Sequence, residues 1–155
     1  MSSMSVIQDF LAQKRIAVVG VSHDPKDFSR MLLRSMRQHG YEAVAVNPTL
    51  TSADDAPCYA RLVDVAPPVD GVLVMTTPAV TDEIVQQCAQ LHIPRVWIYR
   101  AGNKGGAASP QAVEFCEAHG IAVVPGECPY MFMSEESWYH RLHGFVQKIT
   151  GHYPH

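Results

Sequence analysis

Residues 15–48 read RIAVVGVSHDPKDFSRMLLRSMRQHGYEAVAVNP, and this stretch decides the fold class. It opens with the short apolar run Arg15–Gly20, which is typical of a strand buried on both faces of a sheet. From Phe28 to His39 the apolar residues recur at helical spacing, and Gly40 follows at a usual helix end. The next run, EAVAV, indicates a second strand, which Asn47-Pro48 ends. The stretch therefore predicts a strand–helix–strand unit.

The same alternation continues along the chain. The predicted strands are 71–75, 95–99 and 121–124, with a very short one near 58–59, and the predicted helices are 6–12, 79–92, about 110–119 and about 135–150. Strands separated by single helices pair in parallel through right-handed crossovers. We therefore expect one domain over residues 1–155: an α/β, three-layer, Rossmann-like doubly wound parallel sheet of five to six strands. Its core is 15–133, and a C-terminal helix follows at about 135–150.

Composition limits the classes of protein that this chain can belong to. Of its 155 residues, 47% are hydrophobic and 17% are charged, which suits one buried core and not a disordered chain. The formal net charge of −3 leaves no positive excess for a long nucleic-acid backbone. No apolar run reaches the length of a membrane span, and no secretory segment stands at the start. We expect a cytoplasmic protein that binds a small nucleotide-like molecule, and neither nucleic acid nor a membrane.

The cysteines indicate no metal or dithiol centre. The chain has four, at positions 58, 88, 116 and 128, and none belongs to a CxxC pair. We expect buried or incidental free thiols, with a mixed disulfide to the thiol of a ligand as the alternative for Cys128. His140 and His143 lie three residues apart on the last predicted helix, but no carboxylate is positioned beside them. No metal site is predicted there.

In a doubly wound sheet, ligands bind outside the carboxyl ends of the strands, where the strand order reverses. The loop after the first strand, GVSHDPKDFSR over residues 20–30, lacks both GxGxxG and the GK[ST] ending of a P-loop. At the end of the second strand, Asn47 stands where an NAD enzyme needs Asp or Glu. These two differences argue against a dinucleotide enzyme.

The same loop suits a phosphate. Ser22 and Ser29 offer hydroxyl groups, and the helix that follows directs backbone N–H groups to the crevice. Lys26, Arg30 and Arg34 add positive charge. The alternative is that Ser29 only caps the helix and that Lys26 is merely solvated.

Several short motifs, taken in order, carry a family resemblance. They are VVGVS (18–22), GY (40–41), VNP (46–48), VDGV (69–72), TTP (76–78) and VW (96–97). Over about residues 15–133 the chain resembles the stand-alone CoA-binding domain family, which is similar to the CoA-binding domain of the succinyl-CoA synthetase α subunit. The resemblance implies that coenzyme A lies across the carboxyl edge, with its diphosphate near Ser22 and Ser29. The synthetase's phosphorylated histidine lies outside that domain, so ligase chemistry is not implied.

The residue pattern and the resemblance together predict a set of ligand contacts. The predicted cofactor-binding residues are Gly20, Ser22, Lys26, Ser29, Arg30, Asn47, Pro48, Thr76, Thr77, Pro78 and Gly102. The predicted function is non-catalytic binding of coenzyme A or an acyl-CoA, and no catalytic residue is assigned.

Three alternatives to that function stay open. The first is an NAD(H)-binding Rossmann redox enzyme or sensor. The second is a protein whose ligand site has decayed and that only scaffolds a partner, and the third is a weak thioesterase. For the thioesterase, the candidate side chains at this edge are His23, Glu127 and Cys128. A homodimer is a further possibility, since the cluster Met131-Phe132-Met133 with Trp138 suits a dimer contact, a cover over the ligand or core packing.

Overall fold

A computed structural model describes residues 4–54, 56–99, 106–127 and 129. The helices are α1 (Met4–Leu11), α2 (Phe28–Gln38), α3 (Pro78–Gln90) and α4 (Pro110–Ala118), with a 3-10 turn at Leu62–Asp64. The strands are β1 (Arg15–Val19), β2 (Glu42–Val46), β3 (Ser52–Ala53), β4 (Ala56–Tyr59), β5 (Gly71–Val74), β6 (Arg95–Tyr99) and β7 (Ala122–Glu127). The predicted C-terminal helix at about 135–150 lies outside the described residues.

The strands form one sheet in the order β3-β4-β2-β1-β5-β6-β7. Every pair is parallel except β3 with β4, which is antiparallel. This confirms the Rossmann-like α/β sheet, but the predicted count of five to six strands was too low, since the sheet has seven strands within the described residues. The additional strand, Ser52–Ala53, is only two residues long and too short to produce an alternating pattern.

Two apolar layers enclose the sheet, because side chains alternate between its faces along each strand. Ile16 and Val18 of β1 face the layer that contains buried side chains of α1 and α2. Ala17 and Val19 face the opposite layer, which contains buried side chains of α3 and α4. On the first side the Phe10 ring meets fully buried Trp97 edge-to-face, with centroids 5.4 Å apart. The three-layer architecture is therefore present.

Helix ends place the functional loops. Asp27 is the N-cap of α2, and its side chain accepts a hydrogen bond from the Ser29 backbone N–H. Ser29 is therefore not the cap, which contradicts the part of the alternative that concerns Ser29. Ser109 caps α4 with Pro110 in the first turn, which confirms the predicted start of that helix. Within the described ranges, no helix combines the length and the apolar character that crossing a membrane requires.

Candidate functional site

A cavity of about 500 Å³ opens at the carboxyl edge of the sheet, at the ends of β1 and β5. The strand order reverses at this point, since the chain leaves β1 for α2 on one face and β5 for α3 on the other. Its wall is formed by Gly20, Asp27, Phe28, Ser29, Met75, Thr76, Thr77, Pro78, Tyr99 and Gly106. Ligands of doubly wound sheets bind at such a reversal, so this cavity is the candidate site.

Five of the predicted ligand contacts line this cavity together. They are Gly20, Ser29, Thr76, Thr77 and Pro78. Ser22, Lys26, Arg30, Asn47 and Pro48 are on the loops and the helix that flank it, outside that wall. Gly102 lies outside the described residues, as do Cys128, His140 and His143.

Gly20 lets the two walls of the cavity approach each other. Its φ is +98°, and a Cβ added there would lie 2.7 Å from the backbone oxygen of Met75. Both neighbouring segments are held in the sheet, since Gly20 N donates to Val46 O and Met75 N donates to Val19 O. No other residue type fits this position without displacing backbone.

The loop between β1 and α2 is closed by a small network around Ser29. The Ser29 hydroxyl accepts a hydrogen bond from Ser22 N at 2.9 Å and donates to Asp27 Oδ2 at 2.6 Å. Ser29 N donates to the same Asp27 oxygen at 2.9 Å. The structure thus brings Ser22 and Ser29 together, and it adds a carboxylate at the N-terminus of α2, beside the cavity.

Asp27 was not among the predicted site residues. A signal for it was present in the sequence, because Asp directly before the first apolar residue of a helical pattern is a preferred N-cap. What the sequence alone did not provide is its place on the cavity wall.

Arg30 stabilises the loop between β1 and α2 through hydrogen bonds to its backbone. It is only 6% exposed, and its Nη1 donates to the carbonyl oxygens of Ser22 and His23 at 3.2 and 3.4 Å. Its Nε lies 3.3 Å from Asp54 Oδ2, and Arg34 Nη1 lies 3.2 Å from Asp54 Oδ1. Both arginines therefore have structural partners, and contact of Arg30 with a ligand stays a prediction.

Asp54 is held ionised by this pair of arginines. Its burial opposes ionisation, but the hydrogen bonds from Arg30 and Arg34 and their positive charges outweigh that effect and lower the pKa of the carboxyl group. Asp54 also adopts a positive φ of 52° at the turn between β3 and β4. The ion pairs thereby join the short hairpin to α2.

Lys26 differs from these arginines. It is exposed, its backbone N donates to Asp24 Oδ1 at 2.9 Å, and its ammonium group has no ion pair within the part of the chain that the structure describes. Among the three predicted cations, it is the one without a carboxylate partner there.

Asn47 joins the loops that follow β1 and β2. Its Nδ2 donates to Val21 O at 2.6 Å, and its Oδ1 accepts from Thr49 N at 2.8 Å. His23 Nε2 lies 2.6 Å from Thr49 Oγ1 in the same group. Asn47 therefore shapes the edge of the site, and a direct contact with a ligand stays a prediction.

An apolar wall completes the cavity, and sequence reasoning missed most of it. The rings of Phe28 and Tyr99 lie 5.6 Å apart at 35°, and Met75 and Pro78 also line the cavity. Phe28 begins α2 and Tyr99 ends β6, so each stands at the carboxyl edge. The place of these two aromatic residues at the ends of predicted elements was the signal in the sequence that could have identified them as part of the wall.

The described thiols are not activated. Burial raises the pKa of both Cys88 and Cys116 to about 12, and burial also raises the pKa of Cys58. None of the three lines the cavity. Cys88 and Cys116 are buried free thiols, as predicted.

Sequence comparison relates the chain to an uncharacterized protein and to acetate–CoA ligases. The uncharacterized protein YneT of Bacillus subtilis (strain 168) is 28% identical over 127 residues, which are 81% of this chain and 90% of that protein. ADP-forming acetate–CoA ligase II of Archaeoglobus fulgidus is 23% identical over 124 residues, 76% of this chain. Those residues are only 18% of the ligase, so this chain corresponds to one part of such an enzyme.

Solved structures share the fold. A hypothetical protein from Pyrococcus horikoshii OT3 superposes with a TM-score of 0.74 at 24% identity, over 83% of this chain and 88% of that one. The apo form of a dinucleotide-forming acetyl-coenzyme A synthetase 1 from Ca. Korarchaeum cryptofilum gives 0.63 at 20% identity, over 76% of this chain and 27% of the synthetase. The family model described as the CoA binding domain matches residues 14–134. Because that match covers most of this chain, the chain belongs to the CoA-binding domain family.

Proposed function

We propose that the protein binds coenzyme A or an acyl-CoA in the crevice between the Gly20–Ser29 loop and Thr76–Pro78, without a reaction of its own. The observation that carries this proposal is the cavity at the strand-order reversal, in a chain of the CoA-binding domain family. Its volume of about 500 Å³ lies in the usual range of small-molecule sites.

The two kinds of wall suit the two chemical halves of coenzyme A. Backbone N–H groups that follow Pro78 in the first turn of α3 favour an anionic diphosphate, whereas at the start of α2 the Ser29 N–H already donates to Asp27 Oδ2. The apolar wall of Phe28, Met75, Pro78 and Tyr99 suits adenine or the pantetheine arm. Lys26, which has no ion pair within the described residues, is the first candidate for a phosphate contact from the flanking loop.

The first test compares ligands by thermal shift. Coenzyme A at one hundred times its Kd should raise the free energy of unfolding by about 2.7 kcal/mol, and acetyl-CoA should act similarly. NAD and NADH should give clearly smaller shifts, because Asn47 replaces the acid that holds the ribose diol and its amide is bonded to Val21 and Thr49. An equal or larger shift with NADH would favour the redox alternative, and no shift with any of the four would favour a scaffold.

The second test concerns the charge of Asp27. Asp27→Asn keeps an effective N-cap but removes a negative charge from the cavity wall. We expect the affinity for coenzyme A to rise about fivefold at low salt, corresponding to about 1 kcal/mol, with a smaller gain at high salt. Isothermal titration calorimetry measures both values.

Asp24→Asn is the matched control for that charge. Asp24 is in the same loop and is exposed, but it does not line the cavity. Its substitution should change the affinity less than twofold. Unchanged or weaker binding in Asp27→Asn would mean that the diphosphate does not face this carboxylate.

The third test addresses turnover. Thioester hydrolysis needs an activated nucleophile or a general base with an oxyanion site. Near this edge, the pair His23 and Thr49 has hydrogen-bonding geometry, but neither residue lines the cavity. With acetyl-, succinyl- and long-chain acyl-CoA we therefore expect free-thiol release at the buffer rate. Saturable release that His23→Gln or Thr49→Val abolishes would contradict a purely binding function.

A further inference from the structure

A buried hydroxyl group of α3 contacts the wall of the cavity from behind. Thr81 has no exposed surface, and its Oγ1 donates a hydrogen bond to Thr77 O at 3.0 Å. Threonine side chains within helices commonly bond the carbonyl group four residues back in this way. Thr76, which lines the cavity, has its Oγ1 3.0 Å from Thr81 Oγ1. A cavity residue is thus hydrogen-bonded to the interior of the protein.

Counting protons shows which hydroxyl group donates in this pair. Each hydroxyl group carries one proton, and that of Thr81 is used at Thr77 O. The proton between Thr76 and Thr81 therefore comes from Thr76. Thr77 O, at 3.2 Å from Thr76 Oγ1, is a second acceptor for the same proton. In both arrangements the Thr76 proton is used within the protein, and the Thr76 oxygen keeps an unused lone pair.

The orientation of the Thr76 side chain is fixed on two sides. Its methyl carbon Cγ2 faces Gly20, where an added Cβ would lie 3.0 Å from it. Because threonine is branched at Cβ, a change of χ1 would move the methyl group and the hydroxyl group together. Thr76 is only partly buried. Its hydroxyl group therefore offers the cavity a hydrogen-bond acceptor that is already in place.

Ser29 is in a similar state on the α2 side of the cavity. Its hydroxyl proton is donated to Asp27 Oδ2 at 2.6 Å, and its oxygen accepts from Ser22 N at 2.9 Å. Phosphate oxygens are hydrogen-bond acceptors, so Ser29 and Thr76 can donate to them only by giving up bonds within the protein. An N–H or O–H group of a ligand matches both hydroxyl oxygens better.

We propose that Thr76 selects an uncharged hydrogen-bond donor of the ligand, and that Thr81 is a positioning residue that keeps the Thr76 proton inside the protein. This inference rests on the proposed function, in which the ligand is coenzyme A. Coenzyme A has such donors in its pantetheine arm, as amide N–H and hydroxyl groups, and in its adenosine, as the ribose hydroxyl and the adenine amino group. Its phosphates are then expected at the first turn of α3 and not at Thr76.

Calorimetric titration of the full chain with coenzyme A tests the role of Thr76. Thr76→Val keeps the shape of the side chain without the hydroxyl group and should weaken binding about fivefold, the usual effect of one hydrogen bond. Thr76→Ser keeps the hydroxyl group and should bind nearly as tightly as the wild type. Wild-type affinity in Thr76→Val would overturn the proposal. A wild type that does not bind coenzyme A would contradict the proposed function itself, and this inference with it.

Three competitors of coenzyme A identify the donor. In Thr76→Val, 4′-phosphopantetheine should compete about fivefold less well if the donor is in the arm, and adenosine 3′,5′-bisphosphate should do so if it is in the nucleoside. Inorganic pyrophosphate should compete equally with the wild type and with the variant. An equal loss for pyrophosphate would mean that Thr76 donates to a phosphate, which would overturn the proposal.

Thr81→Val tests the positioning role. It leaves Thr76 only the longer bond to Thr77 O, so affinity for coenzyme A should fall by about threefold, less than in Thr76→Val. In the Thr76→Val background the same substitution should have no further effect, because both changes act through one hydroxyl group. Thr81→Ser keeps the buried hydroxyl group and should retain the wild-type affinity. Equal losses from Thr81→Val in the two backgrounds would mean that Thr81 does not act through Thr76, which would overturn its positioning role.

Discussion

Replacing Gly20 with alanine is expected to lower the free energy of unfolding by about 3 kcal/mol and to weaken coenzyme A binding at least tenfold. The left-handed backbone conformation disfavours alanine. The added Cβ also meets the backbone oxygen of Met75 at 2.7 Å and Thr76 Cγ2 at 3.0 Å. Because the Met75 backbone is tied to β1, the clash must displace one wall of the cavity. Chemical denaturation and calorimetric titration measure the two effects.

Gly40→Ala separates the backbone conformation from the clash. Gly40 has a similar φ of +90°, but no atom lies within 4 Å of its added Cβ. We expect a loss of about 1 kcal/mol in stability, from backbone strain alone, and unchanged affinity for coenzyme A. Equal losses of stability at the two glycines would show that close approach at Gly20 contributes nothing.

Asp54→Asn is expected to lower the free energy of unfolding by about 3 kcal/mol at neutral pH. It leaves the buried Arg30 guanidinium without its carboxylate, and removing one partner of a buried ion pair is costly. Asparagine tolerates the positive φ of this position, so the substitution tests the charge and not the turn. Urea denaturation of both proteins gives the difference.

The pH dependence of that difference has a definite sign. Because the pKa of Asp54 is lowered in the folded protein, its ionised form stabilises the fold above the ordinary Asp pKa of 3.8. That contribution decreases as the pH falls below 3.8, and it is lost once the pH has fallen through the lower pKa that Asp54 has in the folded protein. Stability curves of the wild type and Asp54→Asn should therefore converge at acidic pH and stay apart at neutral pH.

Asp64→Asn is the control for an exposed ion pair. Asp64 pairs with Arg61 at 3.1 Å, but the two side chains are 41% and 71% exposed. Such a pair contributes between about 0 and 1 kcal/mol. A loss in Asp64→Asn as large as that in Asp54→Asn would contradict the importance of burying Arg30.

The proposed binding role also separates this protein from the ligases that it resembles. The ligase from Archaeoglobus fulgidus matches it over only 18% of the ligase's length. The thiol-release experiment tests whether this chain hydrolyses a thioester by itself.

The sequence by itself determined the layered α/β sheet. The runs at 15–19, 42–46, 71–74 and 95–99 are apolar on both faces, and the helices between them carry helical periodicity with proline and glycine at their ends. These are local signals, because burial on both sides needs a continuous apolar run. The place of the crevice followed from the strand order that such alternation imposes.

Tertiary structure alone decided which side chains face the crevice and which support it. Arg30 and Asn47 carry the groups expected to meet a phosphate or a ribose, yet they bond to Asp54, Ser22 and Val21. Arg30 and Asp54 are 24 residues apart and meet only because the β3–β4 hairpin folds onto α2. Long-range pairing of this kind depends on the packed geometry of distant segments, which local periodicity and composition do not encode.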